Sequence, residues 1–313
     1  MRKILLASTA IVALSAGSAM ASDITISGSF EFGYNDDSVN SAATALTNND
    51  GTSYGVEQDV NINFSSTTDS GLTMTTSMGL HEDGNNDDLN ATLSGDFGTL
   101  KFVGNGADDD AVEGMDIDVA AATSEEGTAG SDTPTYAGGF SATAGTSISY
   151  TLPSLMEGLT IAAASANGGS DADSTGLGAT YAMTAGGASV KLAVASGTVG
   201  ANATADVTQN HYGISITSGA FTVMAESNSK DDGTAADYSS TGIGGTYTMG
   251  AMKFGAFNET ASTGTNTQDY SRTAWGVDYT IAAGLTASIT QTSTDVSSTI
   301  STDRTRASLK MAF

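Results

Sequence analysis

The last ten residues, "RTRASLKMAF" (residues 304–313), alternate strictly between two kinds of side chain. The apolar parity consists of Ala307, Leu309, Met311 and Phe313, and the polar parity of Arg304, Arg306, Ser308 and Lys310. Successive side chains of a β-strand point to opposite faces of the sheet. The segment therefore predicts a strand that has one face in an apolar medium and the other in a polar medium.

The same period of two recurs along the whole chain. The run "DITISGSFEFGY" (residues 23–34) is the first of sixteen such segments, and the terminal run is the last. Short turns such as "TDSG" and "TAGGA" alternate with long acidic connections. This spacing predicts an up-and-down antiparallel sheet, because tight turns join adjacent antiparallel strands.

The placement of charge distinguishes a membrane barrel from a soluble one. None of the sixteen runs has Asp, Glu, Lys or Arg on its apolar parity. Strands of a membrane barrel alternate in this way, need about 9–11 residues to cross lipid, and close so that every backbone group is paired. We predict an all-β protein, a sixteen-stranded antiparallel transmembrane β-barrel with short periplasmic turns and long outer loops.

Residues 1–21 have the parts of a secretory signal peptide. Two basic residues precede an apolar stretch over residues 4–14, and the segment ends in "AMA". A membrane-spanning helix needs about 20 apolar residues, and this stretch is shorter. We predict a cleaved signal peptide over residues 1–21 and one barrel domain over residues 22–313, located in the outer membrane.

Composition excludes several classes of function. The chain has a formal net charge of −25 at pH 7, so it is unsuited to binding nucleic acid, whose phosphates repel it. It has no cysteine, which excludes disulfides and thiol chemistry. Its two histidines, His81 and His211, each lie at an end of a predicted strand, and neither a G-x-S-x-G nor an H-E-x-x-H motif is present. We expect polar residues at the pore mouth there, and no enzyme.

Several segments give the chain a resemblance to a known family. They are the first run, the hairpin "LSGDFGTLKFVGNG" (residues 93–106), the long acidic connection after it, and the ending "SLKMAF". On these the sequence resembles the general porins of Gram-negative bacteria, and most closely the alphaproteobacterial, Rhodobacter-type porins. The resemblance implies a homotrimer and an inward-folded third loop that narrows the lumen, here residues 105–139. The ending resembles the signature read by the barrel-assembly machinery, with Phe313 as the assembly signal.

Charged side chains at the narrowest part of a pore set its local ion concentration and entry barrier. The predicted pore constriction is the acidic third loop, with Asp108, Asp109, Asp110, Glu113, Asp116 and Asp118, followed by Glu125, Glu126 and Asp132. The predicted basic wall of the lumen consists of Lys101, Arg272, Arg306 and Lys310. The alternatives are a solvated surface loop for the acids, and ion pairs that order the wall for the bases. Family pores usually place an arginine cluster there, whereas this chain has three arginines after residue 21.

The sequence thus predicts a porin for passive diffusion of ions and small hydrophilic solutes, weakly selective for cations and embedded in outer-membrane lipid. An adhesin or structural anchor that acts through its loops is the alternative. No cofactor is expected. Weak Ca²⁺ binding at the acidic loops is a second possibility, since hard oxygen ligands suit that ion. However, "DADSTG" (residues 171–176) begins like a calcium loop but has Ala182 where the motif requires glutamate, so no specific metal site is predicted.

Overall fold

The computed structural model describes residues 22–41, 51–81, 89–104, 112, 115, 117–124, 146–167, 174–201, 205–231, 237–263, 270–297 and 300–313. Almost all of these residues form one closed β-barrel. Its strands are β1 (Ser22–Ser41), β2 (Gly51–Thr67), β3 (Thr73–His81), β4 (Asn90–Gly95), β5 (Gly98–Val103), β6 (Thr146–Thr151), β7 (Leu159–Asn167), β8 (Ser174–Ala185), β9 (Ala188–Ala201), β10 (Ala205–Ser218), β11 (Phe221–Asp231), β12 (Tyr238–Met249), β13 (Met252–Thr263), β14 (Tyr270–Ala282), β15 (Leu285–Ser297) and β16 (Ile300–Ala312). Residues 1–21, the predicted signal peptide, lie outside the described residues.

Closure of the barrel follows from pairing of the first strand with the last. Each strand pairs antiparallel with its neighbours in sequence, and β1 also pairs with β16. At the end of this seam, Gly28 and Phe313 exchange two backbone hydrogen bonds of 3.0 Å. The prediction of sixteen antiparallel strands is confirmed, and closure leaves no sheet edge unpaired.

Seven short turns lie at one end of the barrel and are all within the described residues. Glycines with positive φ occur at every one of them: Gly71, Gly98, Gly158, Gly186, Gly187, Gly219, Gly250 and Gly284. Two constraints require glycine at position 158. Its φ is 79°, and a methyl group there would lie 2.0 Å from the carbonyl oxygen of Ala182. Glycine satisfies both constraints, since it lacks a Cβ.

Side-chain exposure in this barrel is the reverse of that in a soluble protein. Ile243, on the apolar parity of β12, is 57% exposed, while Glu259, on the polar parity of β13, is 1% exposed. Apolar residues of other strands share this exposure, including Phe32, Leu177 and Trp275. An apolar outer surface around a polar interior is the arrangement of a membrane barrel.

Several strands extend further into the long connections than the alternation indicates. The pattern predicts a loop from residue 35 to 52, but β1 continues to Ser41 and β2 begins at Gly51. The same extension occurs at the outer ends of β9 and β10. The backbone ladder continues through these extensions although their sequence carries no apolar period.

The residues between β5 and β6 include a short 3-10 helix, Val119–Ala122. It contacts β11, β12 and β13. Within the described ranges, no helix is long and apolar enough to span a membrane.

Candidate functional site: the third connection inside the barrel

The described part of the connection between β5 and β6 lies against the inner wall of the barrel. Ile117, Val119 and Ala122 are buried, and they face residues of the polar parity rather than the exposed apolar parity. Asp118, between two of these buried residues, is exposed. The segment therefore has an apolar side on the wall and a polar side toward the lumen.

This segment, which we call the lumen segment (residues 112, 115 and 117–124), crosses the wall from β7 to β14. Val112 and Met115 pack on Ala162, Ala164 and Ala195 of β7 and β9. Further along, Val119 and Ala122 pack on Phe257 of β13 and Ala274 of β14. Small wall residues recur beneath the segment, so that the backbone of the loop approaches the sheet closely.

Three wall side chains accept hydrogen bonds from the lumen segment. The backbone N–H of Ile117 donates to Nε2 of His211 at 3.1 Å, and that of Val119 donates to Oε1 of Glu226 at 3.4 Å. The hydroxyl of Ser124 donates to Oδ1 of Asp278 at 2.6 Å. The first two bonds satisfy buried backbone N–H groups of the segment, and an unpaired buried donor costs about 1–3 kcal/mol.

Six lumen-facing glycines form the floor beneath this segment, and we call them the glycine track: Gly178, Gly213, Gly242, Gly244, Gly255 and Gly276. The register connects their strands, since Glu226 pairs with Gly213 on one side and Gly242 on the other, and Gly255 pairs with Gly276. Glycine inside a strand weakens the sheet and commonly marks a place where another backbone approaches closely. Here that backbone is the lumen segment.

Of the predicted acidic constriction, Asp118 is described. Its carboxylate is exposed on the lumen side, and its Oδ1 accepts a hydrogen bond of 2.8 Å from the backbone N–H of Ala120. It therefore caps the 3-10 helix as well as carrying charge into the lumen. The remaining acids of the prediction lie outside the described residues: Asp108, Asp109, Asp110, Glu113, Asp116, Glu125, Glu126 and Asp132.

The four predicted basic residues all face the lumen, but they do not share one wall. Lys101 on β5 and Arg306 and Lys310 on β16 lie on strands that the lumen segment does not cover. Arg272 differs from the prediction, because it lies on β14, the strand whose Asp278 holds the segment. Arg272 is therefore on the segment's own side of the lumen, where it is almost fully buried.

Ion pairs neutralise the arginines of the lumen. Arg272 lies 3.2 Å from Glu259 and stacks over the Phe257 ring at 4.9 Å. Arg306 lies 3.0 Å from Glu31, and the same carboxylate is 3.6 Å from Lys310. These three basic side chains thus fit the alternative interpretation, in which basic residues order the wall through ion pairs.

Two further ion pairs lie on the lumen wall among the described residues. Arg304 binds Asp37 through two nitrogens, one at 2.9 Å, and Lys253 lies 3.8 Å from Asp278. A bidentate arginine–carboxylate pair fixes geometry as well as charge. Because β1 supplies Glu31 and Asp37 while β16 supplies Arg304, Arg306 and Lys310, those contacts also join the two strands that close the barrel.

Phe313 lies on the outer face at the end of the barrel that carries the short turns. The residue is 65% exposed, and its ring stands over Gly28 of β1, where a methyl group would come within 2.9 Å of the ring. The terminal residue is thus part of the seam between β1 and β16. This position fits an aromatic side chain at the membrane interface.

The two histidines occupy different positions in their strands. His211 is 2% exposed in the interior of β10, rather than at a strand end as the sequence pattern indicates, and Nδ1 pairs with Oδ1 of Asn228 at 2.6 Å. His81 is the last residue of β3. Among the described residues, no group of three or more His, Cys, Asp or Glu side chains is arranged to hold a metal ion.

Sequence reasoning did not identify the residues that hold the segment: His211, Glu226, Asp278 and the glycine track. The sequence contains a pattern that points to the glycine track, but this pattern does not identify what contacts it. Glycines at alternate positions, as in "GIGGT" (residues 242–246), indicate a close approach without indicating by what. The partner lies about a hundred positions away along the chain, as in the contact of Ile117 with His211.

Comparisons with known proteins agree with this fold. A family model described as Gram-negative porin matches residues 7–299. Among solved structures, a porin refined at 1.8 Å superposes with a TM-score of 0.65 at 18% identity, covering 93% of this chain and all of that one. A loop L8 deletion mutant of OmpT, an outer membrane protein of Vibrio cholerae, gives 0.67 at 14% identity, covering 94% of this chain and all of that one.

A further structure of the same fold is a double mutant of the Rh. blastica porin. It has a TM-score of 0.61 at 16% identity and covers 93% of this chain and 100% of its own. No curated protein sequence matches the chain. The structural matches establish the sixteen-stranded fold, and the family match covers most of the sequence.

Proposed function

Since the chain belongs to the Gram-negative porin family, an outer-membrane channel family, we propose that its barrel is a water-filled channel for passive diffusion of ions and small hydrophilic solutes. The observation that carries this proposal is the position of the lumen segment. Its described residues pack on β7–β14 and leave β1–β5 and β16 uncovered on the inside. Along these described residues the connection follows one side of the lumen, an arrangement that narrows a pore without filling it.

We propose a weak preference for cations. The three arginines of the lumen each lie beside a carboxylate, so their charge is largely compensated. Asp118 is exposed toward the lumen, and five further acids of the third connection precede it. Acidic side chains that outnumber free basic charge along a narrow aqueous path raise the local concentration of cations.

The test is electrical recording of the full-length mature protein in a planar lipid bilayer. A channel gives discrete unitary conductance steps in symmetric salt, and a salt gradient across the bilayer then gives a reversal potential of the sign that favours cations. An adhesin or anchor with an occluded barrel gives no unitary steps. That result would contradict the channel and favour the loop-based alternative.

We propose that the barrel assembles as a homotrimer and that the C-terminal strand, ending in Phe313, is read by the barrel-assembly machinery. The exposed ring of Phe313 and the backbone bonds of Phe313 to Gly28 support a role for this residue in closing the seam. Chemical cross-linking in native membranes is expected to give a trimer, and a cross-linked product that stops at the monomer would contradict it.

Diffusion through a polar lumen needs no cofactor, and we propose none. Weak Ca²⁺ binding by the acidic outer loops would be electrostatic and without a specific site. Residues 171–173, where the segment that begins like a calcium loop starts, lie outside the described residues. In high salt, where nonspecific electrostatic binding is screened, equal conductance in the presence of calcium and of a chelator is the expected result.

A further inference from the structure

We propose that the glycine track sets the width of the channel, because it fixes how far the lumen segment stands from the wall. This inference rests on the proposed channel function and adds the residues that determine its size limit. The determinant is steric and lies in the wall, whereas the charged residues of the third connection act on ions. The solutes it concerns are neutral hydrophilic molecules whose diameter approaches that of the pore.

The first step of the argument is the closeness of the contact. A methyl group at Gly255 would lie 1.6 Å from the carbonyl oxygen of Ala122. At Gly242 it would lie 2.6 Å from Cγ2 of Val119, and at Gly213 it would lie 2.6 Å from Cβ of Ile117. Carbon atoms in favourable contact are about 3.5–4.0 Å apart. The segment therefore occupies the space that any larger residue would need.

The second step is the direction in which the strain is relieved. The glycines belong to strands that are hydrogen-bonded on both sides in a closed barrel, so the wall resists displacement. The described lumen segment is held mainly by three side-chain acceptors and by apolar packing. An added methyl group points from the wall toward the lumen axis. Restoring normal contact at Gly242 moves the segment inward by about 1 Å, the difference between the 2.6 Å contact and an ordinary carbon–carbon separation.

The third step separates size from charge. Replacing glycine by alanine introduces no charge, and it leaves Asp118 and the ion pairs of the wall in place. A change in channel width caused in this way lowers the conductance and the size limit for neutral sugars, but it leaves the sign of the reversal potential unchanged. A disturbance of the charged loop would alter the reversal potential as well.

The experiment compares four variants of the full-length protein: Gly242→Ala and Gly178→Ala under the segment, and Gly33→Ala and Gly55→Ala as controls. Gly33 and Gly55 also face the lumen and pair with each other, but an added methyl group meets no atom closer than 3.9 Å at Gly33 and none within 4 Å at Gly55. Unitary conductance and the swelling rate of liposomes in neutral sugars of increasing size are measured. Lower conductance and a lower sugar size limit are expected for the first two variants only.

A compensating variant distinguishes a steric effect on the lumen segment from poor folding of the barrel as the cause of a lower conductance. Val119→Ala removes the Cγ2 atom that lies 2.6 Å from the added methyl group in Gly242→Ala. The double variant is expected to regain conductance relative to Gly242→Ala alone. Gly178→Ala provides a second site, where the nearest atom is the flexible Sδ of Met115 at 2.8 Å, so its loss should be smaller.

The outcomes distinguish this inference from the channel function itself. Absence of unitary steps in the unmodified protein would contradict the proposed function. Normal steps in the unmodified protein, together with track variants whose conductance equals that of the controls or exceeds it, would leave the channel in place and overturn the role of the glycine track.

Discussion

At the residue scale, His211 shows how one side chain holds a loop inside the barrel. Its Nε2 accepts from the backbone N–H of Ile117, so the ring proton is assigned to Nδ1, which donates to Oδ1 of Asn228. The amide of Asn228 donates in turn to the hydroxyl of Ser240 at 3.3 Å. This network extends from the lumen segment through β10 and β11 to β12, so that one loop contact is supported by three strands.

Replacing this histidine should loosen the segment while the barrel remains intact. His211→Phe keeps a ring but removes the acceptor for the Ile117 N–H, at a local cost of about 1–3 kcal/mol for an unsatisfied buried donor. Faster hydrogen exchange at Ile117 and noisier open-channel current are expected. Tyr212→Phe, a change at the exposed neighbour on the outer face, is the control. Unchanged exchange at Ile117 would show that apolar packing alone positions the segment.

At the element scale, each strand separates lipid from water by its alternation alone. On β15, Ile289 is 45% exposed on the outer face, and its neighbour Ser288 faces the lumen opposite Asp278 of β14. The effect of an introduced charge on the free energy of unfolding therefore differs sharply between two neighbouring positions of a strand. The same alternation on β1 and β16 brings acids and bases together at the seam.

An arginine scan of this pair tests the register. Ile289→Arg places a guanidinium in lipid and is expected to lower the free energy of unfolding by about 2–4 kcal/mol if the site lies near the midplane. Ser288→Arg places it in the aqueous lumen beside Asp278, so a much smaller loss is expected. The measurement is reversible unfolding in denaturant of barrels refolded into lipid vesicles. Equal losses for the two variants would contradict the register of β15.

At the scale of the whole molecule, the three arginines after residue 21 lie beside carboxylates of the lumen wall, and Asp118 of the third connection is exposed toward the lumen. Every lysine and arginine after residue 21 lies on a lumen-facing parity: Lys101, Lys191, Lys230, Lys253, Arg272, Arg304, Arg306 and Lys310. The chain as a whole has 35 acidic residues against 10 basic ones. We propose that this excess of acids over bases sets the sign of the field that a diffusing ion meets.

Cation preference should therefore increase as the salt concentration falls. The screening length is about 8 Å at physiological ionic strength and about 30 Å at 0.01 M, so the acidic charges reach further across the pore in dilute salt. The triple substitution Asp108→Asn, Asp109→Asn and Asp110→Asn is expected to reduce the preference while the barrel still assembles, because no lipid-facing residue changes. Reversal potentials at two salt concentrations measure both effects. Anion preference of the unmodified protein would contradict the electrostatic argument.

The sequence by itself determined the class of fold, the number of strands and the face that each strand presents to lipid. These properties are local: the alternation of "RTRASLKMAF" needs only the geometry of one strand, and the turn glycines need only the conformation of a few residues. The basic residues could be assigned to the lumen for the same reason. Their parity within a strand is independent of how the strands close.

Only the tertiary structure decided which wall the lumen segment lies on and what holds it there. Arg272 is adjacent to the segment rather than opposite it, because its position around the barrel depends on strand order and not on its parity. His211, Glu226 and the glycine track act on residues distant in the sequence, as in the contacts of Ile117 and Val119 with the wall. Such contacts leave no periodic pattern in the sequence, since they depend on closure of the barrel and on the path of a loop through its interior.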